Sequence, residues 1–168
     1  GLYGEDFTYG DITLDTAYEM LTAANAKEGE VFVDLGAGTG KAVLFASLLF
    51  DLSKSKGIEL VGELHGGSLV ALQRYIQSIL PMLPENKRWQ AIELLNGDMR
   101  EIDWSDADIV YTHCTCFSPA LMDAVTQGAE RLKSGARVIT VSKGLNDTPH
   151  LVLTSSQPCT MAWGGATL

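Results

Sequence analysis

Val31-Phe32-Val33-Asp34-Leu35-Gly36-Ala37-Gly38-Thr39-Gly40-Lys41 decides how this chain is read. Apolar, β-prone residues run into Asp34 and Leu35. Three glycines follow at alternate positions, and Ala42 to Phe50 is then almost wholly apolar. That succession predicts a buried parallel strand, a tight turn and a helix opening at its N-terminus. A glycine turn there lets a ligand touch backbone that any Cβ would block. The stretch therefore predicts a nucleotide-like cofactor at the turn.

Two phosphate-binding motifs fail on it. The P-loop pattern needs glycine where Leu35 stands and a hydroxyl residue where Ala42 stands. The dinucleotide pattern Gly-x-Gly-x-x-Gly needs glycine where Lys41 stands. An acid just before the turn suits an ammonium or a sulfonium better than a pyrophosphate. S-adenosylmethionine meets that demand: it has no phosphate, an ammonium and a cationic sulfur. Asp34 attracts its ammonium end, while N–H groups of the turn, from Gly36, Ala37, Gly38 and Gly40, and of the helix that follows take its carboxylate. Glu59 follows Gly40 by 19 residues at a second strand end, where an acid accepts both ribose hydroxyls. Asp98 stands at a third strand end, able to accept from the adenine amino group, with Met99 as an apolar contact to the ring. Glu59 or Asp98 alone is also explained as a helix cap. Three at consecutive strand ends form one pattern.

Outward from the turn, strands and helices alternate. Helices are expected over 13–24 (with Thr13 as N-cap and Leu14, Ala17, Tyr18, Leu21 and Ala24 inward), 42–50, 62–80 and 118–132. In the long third helix Leu64, Leu69, Leu72, Ile76 and Leu80 are expected to face inward. Strands are expected over 31–35, 56–60, 92–95, 108–112 and 136–142, and β-like stretches over 151–154 and 159–168 suggest a terminal antiparallel pair. The predicted fold is α/β and Rossmann-like: a mostly parallel seven-stranded sheet, helices on both faces, and a C-terminal antiparallel hairpin. Residues 1–12 are expected to form a loop covering the cofactor, and 13–168 a single domain.

The bulk composition agrees. The 168 residues suit one core. Hydrophobic residues make up 46% and charged residues 20%, a globular balance. No apolar run approaches the ~18 residues of a membrane span. No secretory leader is visible in the first residues, which are polar and glycine-rich. The absence of an initiator Met and the apparent mid-strand finish predict flanking sequence. A net charge of -9 repels phosphate backbones, so nucleic acid is not an expected partner. Three cysteines, an odd count, fit a reducing compartment, hence the cytoplasm or nucleus. Cys114-x-Cys116 lacks a second ligand pair, so no metal is expected.

The same stretches resemble a known family: class I S-adenosylmethionine-dependent methyltransferases, and within them the non-SET lysine methyltransferases of the disruptor-of-telomeric-silencing type. Tyr9-Gly10-Asp11 resembles the loop that covers the cofactor there. The segment 31–40 resembles the family's glycine motif, Gly57-Ile58-Glu59 its ribose motif and Gly97-Asp98-Met99 its adenine motif. Phe117-Ser118-Pro119, the segment 135–143 and Trp163 also have counterparts. The resemblance implies methyl transfer to a histone-type lysine. It places Tyr9, Asp11 and His113 at the cofactor, and Tyr9, His113, Thr115, Phe117 and Trp163 along the acceptor channel. The family carries Asn-Asn-Phe-Ala-Phe where this chain has His113-Cys114-Thr115-Cys116-Phe117. His113 is a base if it faces the methyl group, and otherwise a residue held by strand-end hydrogen bonds. Two alternatives stay open: a methyltransferase acting on a small molecule, and a non-catalytic module of the same fold.

Overall fold

The computed structural model describes residues 12–161 and 164–167. The first helix, α1 (Leu14–Ala23), starts at Thr13, whose side chain accepts from the Thr16 N–H at 3.2 Å. Its inner side is turned relative to expectation: Thr16, Ala17, Met20 and Leu21 are buried, while Leu14 and Tyr18 are exposed. Tyr18 stacks on Phe50 instead, with ring centroids 6.0 Å apart. The chain continues through β1 (Val31–Leu35), α2 (Lys41–Leu49), β2 (Lys54–Glu59) and α3 (Gly62–Arg74). After a π-turn at Tyr75–Ile79 and short 3-10 turns come β3 (Ala91–Asn96), β4 (Ile109–His113), α4 (Pro119–Ala129) and β5 (Arg137–Val141). Two last strands, β6 (Pro158–Met161) and β7 (Gly164–Thr167), pair antiparallel.

The main sheet runs β3-β2-β1-β4-β5 and every pairing in it is parallel. It has five strands, not the expected seven, because β6 and β7 form a separate two-stranded sheet. The stretch 151–154, expected as β-like, has no strand. Alternation along β1 sends side chains to two cores. Phe32 joins a cluster with Ala17, Leu21, Ala42 and Ala46 of α1 and α2. Val33 and Leu35 join a second with Trp104 and with Met122 and Val125 of α4. Both faces of the sheet are therefore covered.

β2 starts two residues earlier than its apolar content suggests. Lys56 is buried, and its ammonium donates to Asp106 at 2.9 Å and to the Asp103 carbonyl at 3.1 Å. Lys54 reaches the same Asp106 at 3.2 Å. Paired in this way, a lysine-rich segment can enter a sheet. The long third helix breaks before Pro81, which lacks an N–H to continue it. Along α3 only Ser68 is buried, and Leu69 is exposed, as is Ile76 in the π-turn that follows. The helix flanks β3, an edge strand, so only a narrow line of it meets the sheet. Among the described residues, no helix is long and apolar enough to cross a membrane.

Candidate functional site

Strand order reverses between β1 and β4, and ligands of open parallel sheets sit in the crevice at such a point. A cavity of about 230 Å³ opens there, at the carboxyl ends of the strands. The turn after β1 forms its floor. Gly36, Gly38 and Gly40 all take positive φ (83°, 54° and 79°), conformations that side chains other than glycine rarely accept. The turn lies hard against β2. A Cβ at Gly57 would come within 2.8 Å of the Ala37 Cβ and 2.9 Å of Val43.

Glu59 ends β2 and fastens the turn to α3. One carboxylate oxygen accepts the Gly38 N–H at 2.7 Å, and the other accepts the Val61 N–H at 2.8 Å. Each oxygen keeps a further lone pair. Asp34 is buried at the end of β1, in the same cavity. Burial, and next the charge of Glu59, push its carboxyl up to about 8. Asp98 follows β3. Arg100 grips it with Nε at 2.9 Å from both oxygens and Nη2 at 2.5 Å from one, and this guanidinium holds the carboxyl below its usual range.

On the opposite side the wall comes from β4 and the loop after it. His113 is half-buried, and burial pushes its imidazole pKa down. Phe117 lies near the floor: a Cβ on Gly36 would meet its ring at 3.7 Å and the Met99 methyl at 3.9 Å. The Lys143 ammonium donates to the Phe117 carbonyl at 2.6 Å. The buried Cys114 thiol approaches the Val141 and Lys143 carbonyls at 3.4 Å each, fastening β4 to the end of β5. Among the described residues, no three His, Cys, Asp or Glu side chains converge to hold a metal.

The structure thus brings Asp34, Gly36, Ala37, Gly38, Glu59, Asp98, Met99, His113 and Phe117 to one cavity. Gly40 and Thr115 do not line it. Gly40 shapes the turn, where a Cβ would meet Ser68 at 3.2 Å and Leu94 at 3.3 Å. The Thr115 hydroxyl lies behind His113, 3.3 Å from its Nε2. Tyr9, Asp11 and Trp163 lie outside the described residues.

One expectation changes at the turn. Its N–H groups are already engaged: Gly36 and Ala37 donate to the Ile58 carbonyl, Gly38 to Glu59 and Gly40 to the Ala37 carbonyl. The helix part of that expectation falls on the first turn of α2, whose Lys41 and Ala42 line the cavity. Lys41, Leu60, Val61, Tyr111 and Leu121 also line the cavity and were missed as site residues. Three of them carried a signal. Leu60 and Val61 follow directly on the strand-end acid, and Tyr111 stands two residues before His113 on the same strand face.

The fold and the strand-end site define a class I, Rossmann-like methyltransferase architecture. Solved structures share it. An RNA methyltransferase from Salinibacter ruber, in complex with S-adenosyl-L-homocysteine, superimposes with a TM-score of 0.65 at 20% identity, covering 91% of this chain and 87% of that one. TrmN from Thermus thermophilus gives 0.68 at 18% identity, covering 99% and 49%. A family model described as "Histone methylation protein DOT1" matches residues 3–157, and the chain belongs to that family. The H3 lysine-79 specific histone-lysine N-methyltransferase of Caenorhabditis elegans is 26% identical over 140 residues. That of Dictyostelium discoideum is 29% identical over 124 residues. These alignments take in 81% and 68% of this chain but only 15% and 6% of the relatives' lengths.

Proposed function

We propose that the chain is an S-adenosylmethionine-dependent protein-lysine N-methyltransferase with a histone-type acceptor, working in the nucleus. One observation carries the cofactor: three acids from consecutive strand ends line one cavity, and Asp34 is buried there with its carboxyl pushed up by burial and by the charge of Glu59, a setting that favours a cationic partner. The donor set fits that ligand. The uncommitted lone pairs of Glu59 accept the ribose hydroxyls, Asp98 accepts from the adenine amino group, and Met99 and Phe117 contact the ring. Asp34 faces the ammonium, and Lys41 with the first turn of α2 takes the carboxylate. Residues 1–12 cover the site and 13–168 form the domain, with Tyr9 and Trp163 completing the acceptor channel.

The bound cofactor supplies an electrophilic methyl carbon. The protein's task is alignment and the exclusion of water. His113 and Phe117 form the wall where the acceptor amine arrives. The apolar surroundings favour a neutral amine, the form able to attack. Membership of a histone methylation family supports a protein lysine over a metabolite.

Calorimetry with S-adenosylmethionine and transfer of labelled methyl to nucleosomes, free histones and a metabolite panel test this. Expected are saturable binding and label on a histone lysine. Binding with label only on a metabolite would replace the acceptor class. Binding without turnover on any acceptor would favour the non-catalytic module.

A further inference from the structure

His113 ends β4 in the cavity wall. Its Nε2 lies 3.3 Å from Thr115 Oγ1, and the Thr115 hydroxyl donates to Ser142 Oγ at 2.8 Å. Ser142 is exposed and stands one residue beyond β5. Its backbone is left-handed, with φ 74°, a conformation rarely adopted by residues other than glycine, Asn and Asp. A hydrogen bond from its N–H to the Thr167 carbonyl, 2.8 Å long, holds it there. Strain retained at a strand end beside a cavity points to a use for the side chain it orients. Three side chains from two neighbouring strand ends thus lead from the cavity wall to solvent. Because the Thr115 proton is given to Ser142, the threonine oxygen meets the ring as an acceptor, and Nε2 carries the hydrogen.

We propose that His113, Thr115 and Ser142 form a proton exit for the acceptor ammonium. This rests on the lysine reading, since a lysine arrives charged and must lose a proton before it can attack. The ammonium gives its proton to Nδ1 of His113. The Nε2 hydrogen passes to Thr115 Oγ1, the Thr115 proton to Ser142 Oγ, and the Ser142 proton to water. One proton enters and one leaves, no group in the chain ends charged, and the amine is left neutral. Burial favours the neutral ring that the first transfer needs. Among the described residues, the titratable groups sharing the cavity with His113 are Asp34, Lys41, Glu59, Asp98, Arg100 and Tyr111, and the neighbouring Lys143 donates to the Phe117 carbonyl. Thr115 and Ser142 are positioning residues acting through His113.

Imidazole 15N shifts, with His113 assigned by its loss in His113→Gln, read the chain directly and need no acceptor. The wild type should show His113 as a single Nε2–H tautomer. Thr115→Val should give a tautomer mixture, and Thr115→Ser should restore one form. With a histone acceptor, kcat of Thr115→Val should fall about tenfold or more near neutral pH and recover at high pH, where water supplies the neutral amine. Ser142→Ala and Ser142→Gly should shift in the same direction by less, and affinity for S-adenosylmethionine should stay unchanged. An unaltered tautomer in Thr115→Val overturns the proposal, as does a rate loss independent of pH. A wild type that binds cofactor and methylates no protein lysine defeats the lysine reading and the exit for it. A tautomer that still depends on Thr115 would separate that failure from failure of the hydrogen-bonded chain.

Discussion

The cavity has two sides built from different kinds of contact. On the side of β1 and β2, carboxylates meet backbone or are buried: Glu59 accepts two N–H groups, and Asp34 is buried at the end of its strand. On the side of β4 and β5, side chains meet side chains and carbonyls: His113 to Thr115, Thr115 to Ser142, Lys143 to Phe117. The first side is made mostly within βα units that fold locally. The second needs two strand ends, about 27 residues apart in sequence, to be brought together. On the function proposed above, the local side holds the cofactor and the other side meets the acceptor.

Separate damage to the two sides is the way to test the contrast. Glu59→Ala should do most. It removes a charged acceptor from two N–H donors as well as the ribose contact, and should cost about 2–5 kcal/mol of cofactor binding, read by calorimetry. Gly57→Ala should follow. Its Cβ has no room against Ala37 and Val43, so denaturant unfolding should show a loss of ~1–3 kcal/mol, with cofactor affinity falling too.

Asp34→Asn should change the pH dependence. In the folded protein Asp34 keeps its proton up to about 8, whereas in the unfolded chain it releases it near 3.8. The folded state therefore binds the extra proton between those values, and stability declines as pH rises through that window. Asn at 34 should abolish this decline, measured as Tm against pH. A cation beside Asp34 displaces the proton, so wild-type affinity for S-adenosylmethionine should climb up to about tenfold per pH unit below 8, and the variant should be flat. A wild-type affinity that ignores pH would remove Asp34 from the ammonium. Lys143→Met should do least. It frees the Phe117 carbonyl and should lower kcat roughly tenfold or less while leaving cofactor affinity alone. If instead it weakened the cofactor as much as Glu59→Ala, the two sides would be one unit.

The same contrast governs what the sequence could tell. The glycine turn, Glu59 and Asp98 are legible because a residue type at a strand end has few physical uses, and spacing alone orders them. The start of β2 is not, since Lys54 reads as polar until Asp106 and Glu93 are beside it. The inward face expected over 62–80 misleads because Leu69 and Ile76 have helical spacing, yet both are exposed beside an edge strand. The sheet is over-counted because β-like residues near the C-terminus pair with each other instead of joining it. Ser142 carries no signal at all: its importance lies in a backbone angle and a neighbour 27 residues back.

The bond from Ser142 to Thr167 ties the acceptor wall to the two-stranded sheet, and pairs of strands on their own are marginally stable. Heating should therefore silence the enzyme in stages. Methyl transfer should fade first, as β6 and β7 loosen and the serine is released from its left-handed form. The cofactor, seated on the five-stranded sheet, should still bind at temperatures where turnover has stopped.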